Sequence, residues 1–250
     1  MVMTRIILIL LLITNCFATL AQQQVPNGGF EFWERSGEQI EPIGWNGLMT
    51  ADMCTFCSLG ASQRVFKEKR GLPSRGNCIR IESTSAIGGI IVNGTVTTGQ
   101  VTAPSVRPSQ GYNRSVIGSK EFNLRFTDKP DSLVFWAKYS ITDKSDSALV
   151  SFLIHGDYIM TDPVKFAKPK TPGGEARMTF QTNSEWKRIS IPFNYQDKFD
   201  GKSVFLLATF SSSFEAGKGN ASATLWVDDV ELVYNRLSQA LETQPSLVGH

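Results

Sequence analysis

Trp186-Lys187-Arg188-Ile189-Ser190-Ile191-Pro192-Phe193 decides the fold. Lys187, Ile189, Ile191 and Phe193 fall on one face of an extended chain, and Trp186, Arg188 and Ser190 on the other. A period of two with one apolar face is what a half-buried antiparallel strand requires. Pro192 has no N–H to give a ladder, which puts the end of this strand at an edge or a bulge. The same kind of run recurs on both sides. Candidate strands are Cys78 to Ser83, Ile87 to Val101, Ser132 to Ile141, Ala148 to His155, Trp186 to Tyr195, Val204 to Ser211 and Ala223 to Tyr234. Gly, Pro, Asn, Asp and Ser separate them, and almost nothing reads as helix. The expectation is an all-β fold, an antiparallel jelly-roll β-sandwich.

Two long connections interrupt the strands. Gly37 to Asn77 carries Cys54 and Cys57, and Asp157 to Ser184 carries four Lys or Arg, three Pro and the pair Gly173-Gly174. Connections this long in a compact domain are functional or lack fixed structure.

The N-terminus sets the compartment. Arg5 precedes the apolar run Ile6 to Ile13, and small residues lead to Ala21 ahead of Gln22-Gln23-Gln24. That order is a signal peptide over residues 1–21. The run falls short of the ~20 apolar residues that a membrane span needs, and no other segment qualifies. Cys16 after the apolar run offers a lipid attachment site as the alternative. Export to the periplasm, the outer cell surface or the medium is the expectation. One domain is expected over 22–236, followed by a polar tail over 237–250. The charges nearly balance, 25 basic against 23 acidic, so no strong field invites nucleic acid.

Export permits a disulfide. Cys54 and Cys57 have the C-x-x-C spacing, but their flanks read as loop. Redox chemistry wants the first cysteine at a helix N-terminus after a strand. A zinc site needs about four ligands and would have to recruit Cys78 and His155. A structural disulfide between Cys54 and Cys57 is the expectation, with Cys78 left over.

Conventional catalytic motifs are missing. His155 is the one internal histidine, at the end of an apolar strand, where a capped or surface role is expected. There is no Gly-x-Ser-x-Gly elbow and no phosphate loop. A glycosidase needs only two carboxylates, and Glu31, Glu82, Asp157, Glu185, Asp228 and Asp229 are available, as in any chain of this size. No catalytic residue is assigned.

The ends of the chain carry a resemblance. Val25-Pro26-Asn27-Gly28-Gly29-Phe30-Glu31-Phe32-Trp33 is followed by Pro42-Ile43-Gly44-Trp45, and the last strand reads Leu225-Trp226-Val227-Asp228-Asp229-Val230-Glu231-Leu232. Phe135-Trp136-Ala137-Lys138-Tyr139, Trp186 to Pro192 and Phe210-Ser211-Ser212-Ser213 lie between. This order resembles the carbohydrate metabolism domain of exported Bacteroidetes proteins, and in pattern the jelly-roll carbohydrate-binding modules of families 4 and 22. The resemblance spans about Pro26 to Tyr234. It implies that the first and last strands meet and hold a structural calcium through the Gly29 carbonyl, Glu31 and Asp228. Asp229 takes the place of Asp228 if the register slips by one.

It also implies a polysaccharide or glycan as partner. Sugar rings stack on flat aromatic faces, with polar groups to orient them. Trp45 reads as core. Trp136, with Lys138 two residues on, makes a candidate platform, and Tyr158 at the head of the second long connection a candidate cover. The leading expectation is an exported glycan-binding module without catalysis of its own. The alternatives are a glycoside hydrolase or lyase using a carboxylate pair, and a structural or adhesive domain with cell-surface protein partners.

Overall fold

The computed structural model describes residues 22–36, 39–59, 61–69, 76–142, 146–163, 170–197 and 204–234. The expected signal peptide, Cys16 and the polar tail lie outside these residues. The architecture is an antiparallel jelly-roll β-sandwich. A front sheet of five strands has the order Lys187–Pro192, Ser132–Ser140, Thr224–Val233, Asn77–Glu82, Val65–Lys69, antiparallel throughout. The back sheet has the order Leu124–Arg125, Phe205–Ser211, Ala148–His155, Gly174–Phe180, Asn194–Tyr195, with Thr95–Thr97 also paired to Phe205–Ser211.

Alternation along these strands builds the core. Leu133, Phe135, Ala137 and Tyr139 of the front sheet face Val150, Phe152, Ile154, Ala208 and Phe210 of the back sheet. Phe135 meets Phe210 at 5.2 Å and Phe180 at 5.7 Å between ring centroids. Trp45 enters from the connection before the first long strands. It packs on Phe30 at 5.5 Å, Phe210 at 5.9 Å and Phe152 at 6.5 Å, and its indole N–H donates to the Pro26 carbonyl at 2.8 Å.

The two ends of the described chain lie side by side. Val230 N donates to the Gly28 carbonyl at 2.9 Å. The Gln24 side chain pairs with Leu232 as a strand would, its Nε2 donating to the Leu232 carbonyl and its Oε1 accepting from Leu232 N, both at 2.7 Å. Tyr234 closes the row by donating to the Gln23 carbonyl.

Outside the back sheet lies a further layer of four short strands, Thr161–Asp162, Tyr112–Arg114, Gln100–Ala103 and Asp52–Met53, the last of them parallel. The central strands Ala148–His155 and Phe205–Ser211 are therefore buried on both faces, and the outer interface is polar. Arg177 Nη1 bonds Asp162 Oδ1 at 2.7 Å and Ser151 Oγ at 3.1 Å, and Asn113 Nδ2 reaches Thr209 Oγ1. The front sheet has no such covering layer among the described residues.

Several expectations change. The Ile87–Val101 run is broken into a short 3-10 turn, Ile87–Gly89, and the strands Ile91–Val92, Thr95–Thr97 and Gln100–Ala103. Gly94 lies over the Glu82 backbone and Gly99 over the Arg114 backbone, so close that no side chain fits, and a straight strand cannot pass there. The second long connection contains the strand Gly174–Phe180, whose inward face begins with Gly174 and Ala176, too small to register as an apolar run, before Met178 and Phe180. The first contains Val65–Lys69 and a short helix, Thr55–Leu59, directly after the strand Asp52–Met53. The cysteines thus sit at a strand-to-helix junction rather than in plain loop. Cys54 and Cys57 are disulfide-bonded, and Cys78 is free and buried.

Candidate functional site

The outer face of the front sheet collects aromatic and cationic side chains by register alone. Trp226 pairs with Lys138 on one side and Arg80 on the other, and Arg80 pairs with Phe66. Lys138 also faces Trp186, the residue next to the Ala137–Lys187 pair. The result is one row across five strands, Trp186, Lys138, Trp226, Arg80, Phe66. At the usual strand spacing of about 4.8 Å the row is roughly 19 Å long.

Cations and rings alternate along the row and touch. Lys138 Nζ stands 4.0 Å from the Trp226 ring centroid and 5.9 Å from that of Trp186, and the Arg80 guanidinium lies 4.5 Å over Phe66. Such contacts contribute about 0.5–2 kcal/mol each and favour a charge held over the face of the ring. Arg80 is further fixed by Glu68 at 2.7 Å and by Glu82, and Glu68 accepts the Trp226 indole N–H at 3.2 Å. A second row runs beside the first. Trp136 pairs with Arg188 on one neighbouring strand and Asp228 on the other. All three tryptophans of the two rows are half-buried, which leaves part of each ring open to solvent.

Trp136 and Lys138 therefore share this outer face. Tyr158 is not with them. It lies on the far side of the back sheet, over a small apolar cluster of Leu153, Met160 and Leu207, with its hydroxyl donating to the Thr171 carbonyl at 2.8 Å. The turn Gly156–Tyr158 folds it back on His155, whose ring is 5.4 Å away. His155 is fully buried rather than at the surface. Its Nδ1 bonds the Gly156 carbonyl at 2.8 Å, and its Nε2 has no partner among the described residues. Burial pushes its pKa down to about 4, so the ring is neutral and no nucleophile is paired with it.

The expected calcium ligands have these surroundings. Glu31 accepts from Asn77 N at 2.9 Å and Asn77 Nδ2 at 2.6 Å. A bulge in the last strand, between the Val134 and Trp136 registers, puts Asp229 at φ 49°. Asp228 is buried opposite Trp136, with Oδ1 accepting from Asp229 N at 2.8 Å. Asp229 Oδ1 lies 4.0 Å from where a Cβ on Gly29 would stand. These donors are all oxygens, the kind calcium takes. Among the described residues no three acidic, histidine or cysteine side chains gather as a metal cluster.

Sequence reasoning missed Trp186, Trp226, Arg80 and Phe66 as members of one row. The parity of Trp186 and Arg188 against Ile189 and Ile191 was the available signal. Strand order, which aligns them, was not.

No family model matches the chain, and no curated protein matches it significantly. Among solved structures it is similar to a candidate glycoside hydrolase from Bacteroides thetaiotaomicron, with a TM-score of 0.55 and 18% identity over 83% of this chain and 68% of that one. It is also matched to a family 61 carbohydrate-binding module in complex with β-1,4-galactotriose, with a TM-score of 0.39 and 11% identity over 86% and 100%. A third match is the CBM22-1 xylan-binding domain from Paenibacillus barcinonensis Xyn10C, at 0.36 and 9% over 85% and 94%. No helix among the described residues is long and apolar enough to cross a membrane.

Proposed function

We propose that this is an exported glycan-binding module that holds a polysaccharide across the outer face of the front sheet, without chemistry of its own. The observation that carries the reading is the pair of rows in which three tryptophans, two of them flanking Lys138, share one uncovered sheet face. Half-open indoles give sugar rings a surface to stack on, and the neighbouring cations give hydroxyl or acidic oxygens a donor. The described acids nearest the row, Glu68 and Glu82, are both engaged by Arg80. That does not favour a free carboxylate pair for hydrolysis.

The test is retention on a panel of insoluble and gel-embedded polysaccharides with calcium present, with the supernatants assayed for released sugar. Retention on one or two polysaccharides, weakened about tenfold or more in Trp136→Ala while the melting temperature holds, is the expected result. Released sugar would replace this reading with a hydrolase or lyase. No retention and no product across the panel would leave an adhesive or structural domain.

A structural calcium is the second part of the proposal. Here the ligands would be the Gly29 carbonyl, Glu31 and Asp229, with Asp228 as the alternative acid. Chelation is expected to lower the melting temperature of protein first shown to carry the metal. An unchanged melt in EDTA would remove the site.

A further inference from the structure

We infer that the ligand of this face is an anionic glycan, a polymer whose sugars carry carboxylates. The inference rests on the glycan-binding reading and concerns the charges beside the tryptophans.

The three cations of the two rows are not equivalent. Arg80 is neutralised by Glu68 and Glu82. Among the described residues, Lys138 and Arg188 have no acidic partner. Lys138 touches only the rings of Trp226 and Trp186, and Arg188 is exposed beside Trp136. Of the remaining acids of the face, Glu231 and Glu185 are placed elsewhere, and Asp228 lies beside Trp136 but is buried. Glu231 pairs with Val134, past the bulge and toward the other end of the strand. Asp228 is 3% exposed, with Oδ1 bonded to Asp229 N. Glu185, next to Trp186 in the chain, is exposed in the turn that ends on Thr182. The corner formed by Trp186, Lys138, Trp136 and Arg188 is thus the part of the face where two cations have no ion-pair partner among the described residues and aromatic surface is open.

A neutral sugar is a poor match for that corner. To stack on Trp226 it would have to push the Lys138 ammonium off the ring and give it no counter-charge in return. A sugar acid resolves the conflict. Its carboxylate takes the ammonium with it as the ring stacks, and the Arg188 guanidinium offers a planar pair of donors that fits a second carboxylate bidentately. Arg188 and Lys138 flank Trp136 on two adjacent strands, so neighbouring acidic sugars along one chain would meet them in turn.

The test is titration calorimetry of the protein with oligomers of polygalacturonate, alginate and hyaluronan. The fully methyl-esterified polygalacturonate, neutral galactan and xylan, and dextran sulfate serve as comparisons. The expected result is binding to at least one carboxylated glycan that weakens about tenfold or more on esterification, in Lys138→Met and in Arg188→Gln. It should also weaken as salt rises from about 0.05 to about 0.5 M. Equal binding of the neutral or esterified glycans, unchanged in both variants, would overturn the inference and leave the glycan-binding reading standing. Dextran sulfate bound as tightly, and insensitive to Trp136→Ala, would overturn it in favour of unspecific charge. Binding to none of the glycans would overturn the inference and the reading beneath it together.

Discussion

Trp45→Ala is expected to cost about 3–5 kcal/mol, the range for truncating a large aromatic side chain inside a packed core. The indole is 1% exposed and stands against Phe30, Phe152 and Phe210, which come from the N-terminal segment and both strands at the centre of the back sheet. Its removal leaves a cavity where these elements converge. It also strips the Pro26 carbonyl of its donor. A domain stable by about 5–15 kcal/mol would lose a large share of its margin. For a chain of this length the melting temperature should drop by roughly 10 °C or more. Trp45→Phe keeps most of the ring contacts and loses the N–H, so it should fall between the two. Urea denaturation of the three proteins checks this, and a loss of under about 1 kcal/mol for the alanine variant would show that Trp45 is not the keystone of the core.

Acid should destabilise the protein through His155. Its folded pKa is held near 4 by burial, against 6.5 for the free side chain. Above pH 6.5 both states carry a neutral ring and the group is silent. As the pH falls through that value the unfolded chain takes up a proton that the folded one refuses. Stability therefore declines between about pH 6.5 and 4 and levels off below. The loss reaches at most about 3 kcal/mol. Glu41 works in the opposite direction. It is buried, its carboxylate accepts from Gly47 N and Thr50 Oγ1 at 2.9 Å, and desolvation raises its pKa, so protonation at lower pH favours the folded state. Melting curves from pH 8 to 4 separate the two groups. His155→Leu should flatten the decline, and an unaltered slope in that variant would assign the acid sensitivity to carboxylates.

Much of the fold was legible because long strands announce themselves. Ala148–His155 lies where its apolar run put it, and the strands Ser132–Ser140, Phe205–Ser211 and Thr224–Val233 differ from expectation by a residue at their ends. Ser132–Ser140 and Thr224–Val233 bury one face and show it as alternation, while Ala148–His155 and Phe205–Ser211, buried on both faces, show it as near-continuous runs. The strand Gly174–Phe180 escaped notice because its core contacts are made by glycine and alanine at one end, and its outward Glu175, Arg177 and Thr179 look like loop. The layer over the back sheet was illegible for a different reason. Strands two to four residues long, joined by Thr97, Thr209, Asn113 and Ser151, have no hydrophobic period to read. At the site, a spacing of two put Trp136 and Lys138 on one face, but left open whether that face was the outer one or the core. Their distance from Tyr158 was not legible either, since two sheets separate them. The bulge beside Asp228 and Asp229 was likewise illegible, since only the register of the Ser132–Ser140 pairing shows it.

Gln23, Gln24 and Gly28 close the sandwich by lying antiparallel to Val230, Leu232 and Tyr234. Under tension that seam behaves as a zipper. A pull across residues 22 and 234 loads the Tyr234 bond first, then the Gln24 clamp, then the Gly28 bond, so each breaks alone at low force instead of all resisting together in shear. A load that enters at one end and leaves through a glycan gripped on the front sheet takes another path. If the anchored end is the C-terminal one, the force runs along Thr224–Val233, a central strand paired on both sides, and the seam carries none of it.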